Sequence, residues 1–140
     1  MASFEFFVVC IILANIAKLR SQSYINPVGD CNCPDPGAIF YDGMYYVGTT
    51  GSDSNGHFPL RQSNNAINWT QIGYIFTKDN TPSWSLTTGN FWAVEIHQIN
   101  DNQFNAYFVA QDTTNNNILS IGVATSSKPY GPFKDTINKP

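Results

Sequence analysis

Cys33-Pro34-Asp35-Pro36-Gly37-Ala38-Ile39-Phe40-Tyr41-Asp42-Gly43-Met44-Tyr45-Tyr46-Val47 sets an acid between two prolines and follows it at once with two aromatic runs about an Asp-Gly pair. Each proline fixes its own φ at about −65°. Pro36 also biases Asp35 toward an extended backbone. The carboxylate is therefore expected on a stiff chain at the mouth of a strand, the fixed placement that a catalytic base requires. Taken alone, the tripeptide reads more plainly as a turn acid between turn-forming prolines. Asp42-Gly43 makes a two-residue hairpin turn, because glycine accepts a positive φ without strain.

Outward from this stretch, short runs rich in Tyr, Phe, Val and Ile alternate with Gly, Asn, Asp and Ser, the pattern of β-hairpins. Strands are expected over residues 37–41, 44–50, 60–63 and 71–76. A second set is expected over 92–99, 104–111 and 118–125, with a last run around Phe133. Asn100-Asp101-Asn102 can turn the second hairpin, since Asn and Asp tolerate the left-handed region. The two sets resemble each other. Each has an aromatic strand pair, then a small polar segment (Arg61-Gln62-Ser63 and Ala124-Thr125-Ser126), then a closing aromatic, Trp69 or Phe133. A four-strand unit repeating after roughly 60 residues reads as a propeller blade. Propellers close with about four to eight blades. Two blades leave open edges, so the chain reads as a piece of a longer protein or as one that pairs with other subunits, and residues 134–140 read as a linker to a further blade.

Charged residues make up 12% of the chain, with a net charge of −3 and no Lys/Arg run. That argues against nucleic-acid binding. Low charge with 14% aromatics and many amides suits an all-β extracellular protein, and aromatic faces suit sugars. Phe6 to Ala17 is an apolar run, FFVVCIILANIA. It is short of the about 20 residues needed to span a bilayer. It fits the h-region of a secretory leader, although Glu5 precedes it and Lys18 and Arg20 follow. Residues 1–23 are read as a signal peptide, with secretion and no membrane attachment after cleavage. Asn68-Trp69-Thr70 is a sequon for N-glycosylation and points the same way. Cys31 and Cys33 stand too close for an easy bridge between them. Neither a disulfide framework nor a metal site is indicated.

Several motifs together resemble glycoside hydrolase family 43. Cys33-Pro34-Asp35-Pro36-Gly37-Ala38-Ile39 is similar to its opening motif, and Tyr41-Asp42-Gly43-Met44-Tyr45-Tyr46-Val47 to the Tyr-rich hairpin that follows. Leu60-Arg61-Gln62-Ser63-Asn64-Asn65-Ala66-Ile67-Asn68-Trp69 matches the strand and Asn-Trp element. Phe91-Trp92-Ala93-Val94-Glu95-Ile96-His97 stands where the second blade opens with Trp-Ala-Pro-acid, and Ile121 to Asp135 resembles the end of that blade. The resemblance implies about two blades of an expected five-bladed β-propeller over residues 24–140. It also implies inverting hydrolysis of α-L-arabinofuranosides, arabinans or β-xylosides, with a carbohydrate as the partner. The base of the family maps onto Asp35. Its pKa-modulating Asp and general-acid Glu lie in later blades, so the chain is expected to be inactive alone. A non-catalytic carbohydrate-binding or degenerate propeller module is the competing reading.

Trp92, Glu95, Phe58 and Arg61 are the candidates for substrate binding. Val94 replaces the family's proline and is expected to loosen the backbone before Glu95. His97 shares a strand face with Glu95 and suits hydrogen bonding better than metal ligation. His57, in a Gly/Asn/Ser loop, is expected in solvent. Tyr45, Tyr46, Tyr107 and Phe108 read as core between blades, and Asp42, Asp79, Asp101 and Asp112 as turn residues. Some members of the family hold a cation on the propeller axis; the residues here establish no cofactor or metal.

Overall fold

The computed structural model describes residues 25–26, 31–88 and 90–140; the leader reading lies outside them. Seven strands form two antiparallel sheets. The first has the order β1 (Gly37–Tyr41), β2 (Met44–Gly48), β3 (Gly56–Ser63), β4 (Thr70–Thr77), and the second the order β5 (Trp92–Asn100), β6 (Gln103–Asp112), β7 (Ile118–Ser126). The all-β reading and the repeated meander hold. One 3-10 turn, Lys78–Asn80, is the only helical element among the described residues. Each sheet steps outward from a first strand, and these first strands, β1 and β5, lie side by side as in neighbouring blades.

The turn chemistry accounts for the first hairpin. Asp42 (φ 49) and Gly43 (φ 77) both take positive φ, the mirror-image turn that matches the strand twist. The second hairpin turns differently. Neither Asp101 nor Asn102 enters the left-handed region; Asn102 N–H donates to Asn100 Oδ1 at 2.9 Å, so a side chain makes the turn.

The core lies between the sheets. Leu60, Ile75, Phe58 and Phe76 of the first face Val94, Ile96, Phe104, Ala106, Phe108 and Ala124 of the second, with Trp84, Phe91 and Phe133 closing the ends. Phe76 meets Phe108 edge-on at 4.9 Å, and Tyr41 meets Phe104 at 5.0 Å. Edge-to-face aromatic pairs add about 0.5–1.5 kcal/mol each beyond area burial. Tyr46 and Phe108 are core as expected, but Tyr107 is exposed on the outer face of β6. Successive residues of a strand alternate faces, so Phe108 enters the core between the two sheets and Tyr107 stands on the opposite face of β6.

Four further expectations change. No eighth strand forms at Phe133; Lys134 makes an isolated bridge with Thr125. Residues 134–138 are no free linker: Asp135 Oδ2 accepts the Trp84 indole N–H at 2.7 Å, and Asn138 Oδ1 accepts from Ser83. Asp112 keeps its turn role but is buried, with Oδ1 accepting both the N–H and the hydroxyl of Thr114, and so starts the β6–β7 loop from inside. Cys31 and Cys33 are disulfide-bonded, their Cα atoms 5.4 Å apart. That spacing lies within bridging range because the chain through Asn32 is bent rather than extended.

Candidate active site

Asp35 stands two residues before β1, the first strand of the first blade. Its backbone does not obey the proline that follows. Asp35 has φ 50, not the expected extended value. A positive φ costs a non-glycine residue about 1–3 kcal/mol and persists only where the surroundings over-determine it. Thr50, just past the end of β2, supplies those surroundings. Its N–H donates to Pro34 O at 3.0 Å, and its hydroxyl donates to Asp35 Oδ2 at 2.8 Å. The same hydroxyl oxygen accepts the Ala93 N–H of the second blade at 2.8 Å. A hydrogen bond to a charged group contributes about 1.5–3 kcal/mol, enough to offset the strain.

The second blade is shaped to meet this acid. Trp92 pairs with Val109 and Glu95 with Tyr107, so β5 carries one residue more than β6 between these pairs. Ala93, at φ 49, absorbs the bulge. Bulges re-aim side chains. Here the extra residue brings Trp92 and Glu95 onto one face, where an unbulged strand would set them on opposite faces.

Gly37 allows the two inner strands to touch. A Cβ there would lie 2.1 Å from Val94 O and 3.0 Å from the Glu95 Cα. Gly48 likewise leaves room for the Val94 side chain. Val94 is fully buried by these neighbours, so the loosening expected from the missing proline is replaced by packing. Asp35, Pro36, Gly37, Ala93 and Glu95 together line an open concavity of about 200 Å³. Both carboxylates are exposed to solvent. Glu95 Oε2 lies 3.0 Å from His97 Nε2, and the His97 ring meets Tyr107 edge-on at 5.8 Å. Among the described residues, no three His, Cys, Asp or Glu side chains converge on a metal position.

Of the residues singled out from the sequence, Asp35 and Glu95 line one concavity; Trp92, 41% exposed, stands across the bulge on β5 and is not part of that lining. Phe58 does not join them. It is fully buried, with φ 56 turning it inward against Phe91 (5.5 Å) and Phe108 (5.8 Å). Arg61 lies outside the concavity, its guanidinium donating to Thr49 Oγ1 and Gln71 Oε1. His57 is 6% exposed rather than in solvent. Strand β3 begins at Gly56, earlier than the apolar pattern shows, and stacks the imidazole on Phe91 at 3.9 Å. Its Nδ1 lies 2.7 Å from Ser52 Oγ. Burial pushes this imidazole below its usual range; Asp53 opposes that and Lys78 adds to it. Sequence reading missed Thr50 and Gly37. A hydroxyl closing the strand that pairs with the Pro-Asp-Pro strand, and a glycine directly after Pro36, were the available signals.

A family model described as Glycosyl hydrolases family 43 matches residues 24–140. The chain is 29% identical over 112 residues to an extracellular endo-α-(1→5)-L-arabinanase of Thermotoga petrophila, covering 71% of this chain and 22% of that protein. Its fold is similar to a thermostable family-43 glycoside hydrolase at TM-score 0.68 and 30% identity, over 81% of this chain and 35% of that one. It is also similar to a family-43 β-xylosidase/α-arabinofuranosidase from a compost microbial metagenome, solved with xylotriose, at TM-score 0.63 and 25% identity, over 81% of this chain and 37% of that one.

Proposed function

Because the chain belongs to glycosyl hydrolases family 43, we propose that it forms the base-bearing part of an inverting hydrolase of arabinofuranosyl- or xylosyl-containing saccharides. The observation that carries this is the placement of Asp35. It is exposed just before the first strand of its blade, in a concavity shared with Glu95, and held by a hydroxyl from its own blade.

An inverting glycosidase places two carboxyl groups about 6.5–9.5 Å apart, leaving room for one water. Asp35 acts as the base, taking a proton from that water as its oxygen attacks the anomeric carbon. A base must lie within hydrogen-bond reach of the proton it removes, and the Thr50 hydroxyl leaves Asp35 Oδ1 for that contact by engaging Oδ2. Glu95, oriented by His97, accepts hydroxyls of the bound sugar, and Trp92 offers its exposed face to a sugar ring. The proton for the leaving oxygen comes from an acid on a later blade. The chain spans about a fifth of its curated relative and about a third of the solved structures, and the 140 residues alone are expected to hydrolyse nothing.

The disulfide fits an oxidising compartment, which supports secretion. The test is hydrolysis of aryl α-L-arabinofuranoside and aryl β-xyloside by a form that carries the later blades, with the anomer released followed by NMR. Release of the inverted sugar supports the proposal. Binding of arabino- or xylo-oligosaccharide without turnover in that form would instead make the chain part of a carbohydrate-binding propeller.

A further inference from the structure

Asn68-Trp69-Thr70 is the single Asn-x-Ser/Thr triplet of the chain. The fold sets it at the tip of the β3–β4 hairpin, with Thr70 opening β4. The turn is built by Asn65, whose Oδ1 accepts the Ile67 N–H at 3.0 Å and the Asn68 N–H at 2.9 Å. Asn68 thus contributes its backbone to the turn. Its side chain is exposed, and among the described residues no hydrogen bond engages its carboxamide. Thr70 is also exposed, with the hydroxyl that the sequon needs at its third position.

The strand register puts this tip far from the concavity. Tyr45 pairs with Ser63, and Gln62 with Thr70, so the tip lies at the Asp42-Gly43 end of the blade. Asp35 lies at the other end, where Gly37 pairs with Gly48 and Gly56 with Thr77. A bulky group on Asn68 stands over the outer strand and leaves the cavity open. The Cys31–Cys33 bond marks an oxidising route, the route on which asparagine is modified in secreted proteins.

We propose that Asn68 is an N-glycosylation site, occupied when the chain passes through a eukaryotic secretory pathway. The donor is a lipid-pyrophosphate oligosaccharide, transferred by the cell's own enzyme. The Asn68 Nδ2 forms a C–N bond to the anomeric carbon, the C–O bond to the lipid pyrophosphate breaks, one amide proton is lost, and the lipid pyrophosphate leaves. The proposal rests on residues 1–23 acting as a leader, and is independent of the catalytic assignment because no activity is read.

The experiment expresses the full chain in a secreting eukaryotic host, behind its own first 23 residues and behind a borrowed leader. The mass is read before and after peptide N-glycosidase, which converts a glycosylated Asn68 to aspartate and marks the position for peptide mass spectrometry. Both forms are expected to carry glycan. Asn68→Gln and Thr70→Ala are expected to abolish it, and Thr70→Ser to keep it. Three results would overturn the proposal: a chain at its bare polypeptide mass, glycan surviving Asn68→Gln, or modification behind the borrowed leader alone.

Discussion

The Thr50 hydroxyl lies 2.8 Å from the Asp35 carboxylate and donates to it. The same oxygen takes the Ala93 N–H from the neighbouring blade at 2.8 Å, so one small side chain orients the acid and ties the two inner strands. Thr50→Val removes both bonds at nearly constant volume. Both groups are exposed, so water can replace the lost partners, and the change is expected to destabilise the chain by about 0.5–1.5 kcal/mol. In a form with the later blades it is expected to lower kcat by at least tenfold with little change in KM. Thr50→Ser should restore most of both. Denaturant unfolding and steady-state kinetics on the three forms check this.

Gly37 and Gly48 separate two kinds of close approach. A Cβ at Gly37 meets the Val94 carbonyl, which is backbone, whereas a Cβ at Gly48 meets the Val94 Cγ1 at 2.7 Å. Overpacking costs about 1–3 kcal/mol. Gly37→Ala is expected at or beyond the top of that range, because the strands must part, and Gly48→Ala lower, because a side chain can turn. Val94→Ala should rescue Gly48→Ala and not Gly37→Ala, as read by unfolding midpoints.

His57 gives the fold a pH dependence. Its folded pKa is lowered from 6.5, chiefly by burial. Above 6.5 the imidazole is neutral in both states and its contribution to stability is complete. As pH falls through 6.5 toward the folded value, the unfolded chain takes up a proton that the folded chain refuses, and stability is lost. The unfolding free energy should therefore decline from neutral pH toward pH 5, and His57→Phe, which keeps a ring on Phe91, should flatten that decline. Asp53, held below 3.8 chiefly by the Tyr74 hydroxyl, acts in a lower window: its contribution is present above 3.8 and lost as pH falls below that.

The strands were legible because period-two patterning and the Asp42-Gly43 pair are local signals. Six of the seven strands follow them to within a few residues; β3 does not, because Gly56 and His57 carry no apolar pattern. Asp35, the proposed base, was legible from a motif. What could not be read is what depends on contacts across the blades. Phe58 reads from the sequence as a pocket residue, yet its φ of 56 goes with packing against Phe91 and Phe108. Thr50 carries no distinctive pattern, and its role exists only once Asp35 and Ala93 both reach it. Pro36 gave a local bias toward an extended Asp35, and two bonds from Thr50 overrode it.

Substitution of Asp35 by Asn keeps the shape and the Thr50 contact but removes the capacity to accept a proton from water. General-base catalysis contributes about 10²–10⁴-fold. Turnover of aryl α-L-arabinofuranoside or β-xyloside by a form carrying the later blades should fall by on the order of that factor in Asp35→Asn, with unfolding shifted by no more than about 1 kcal/mol. Turnover equal to that of the unsubstituted protein would contradict the assignment of Asp35 as the base.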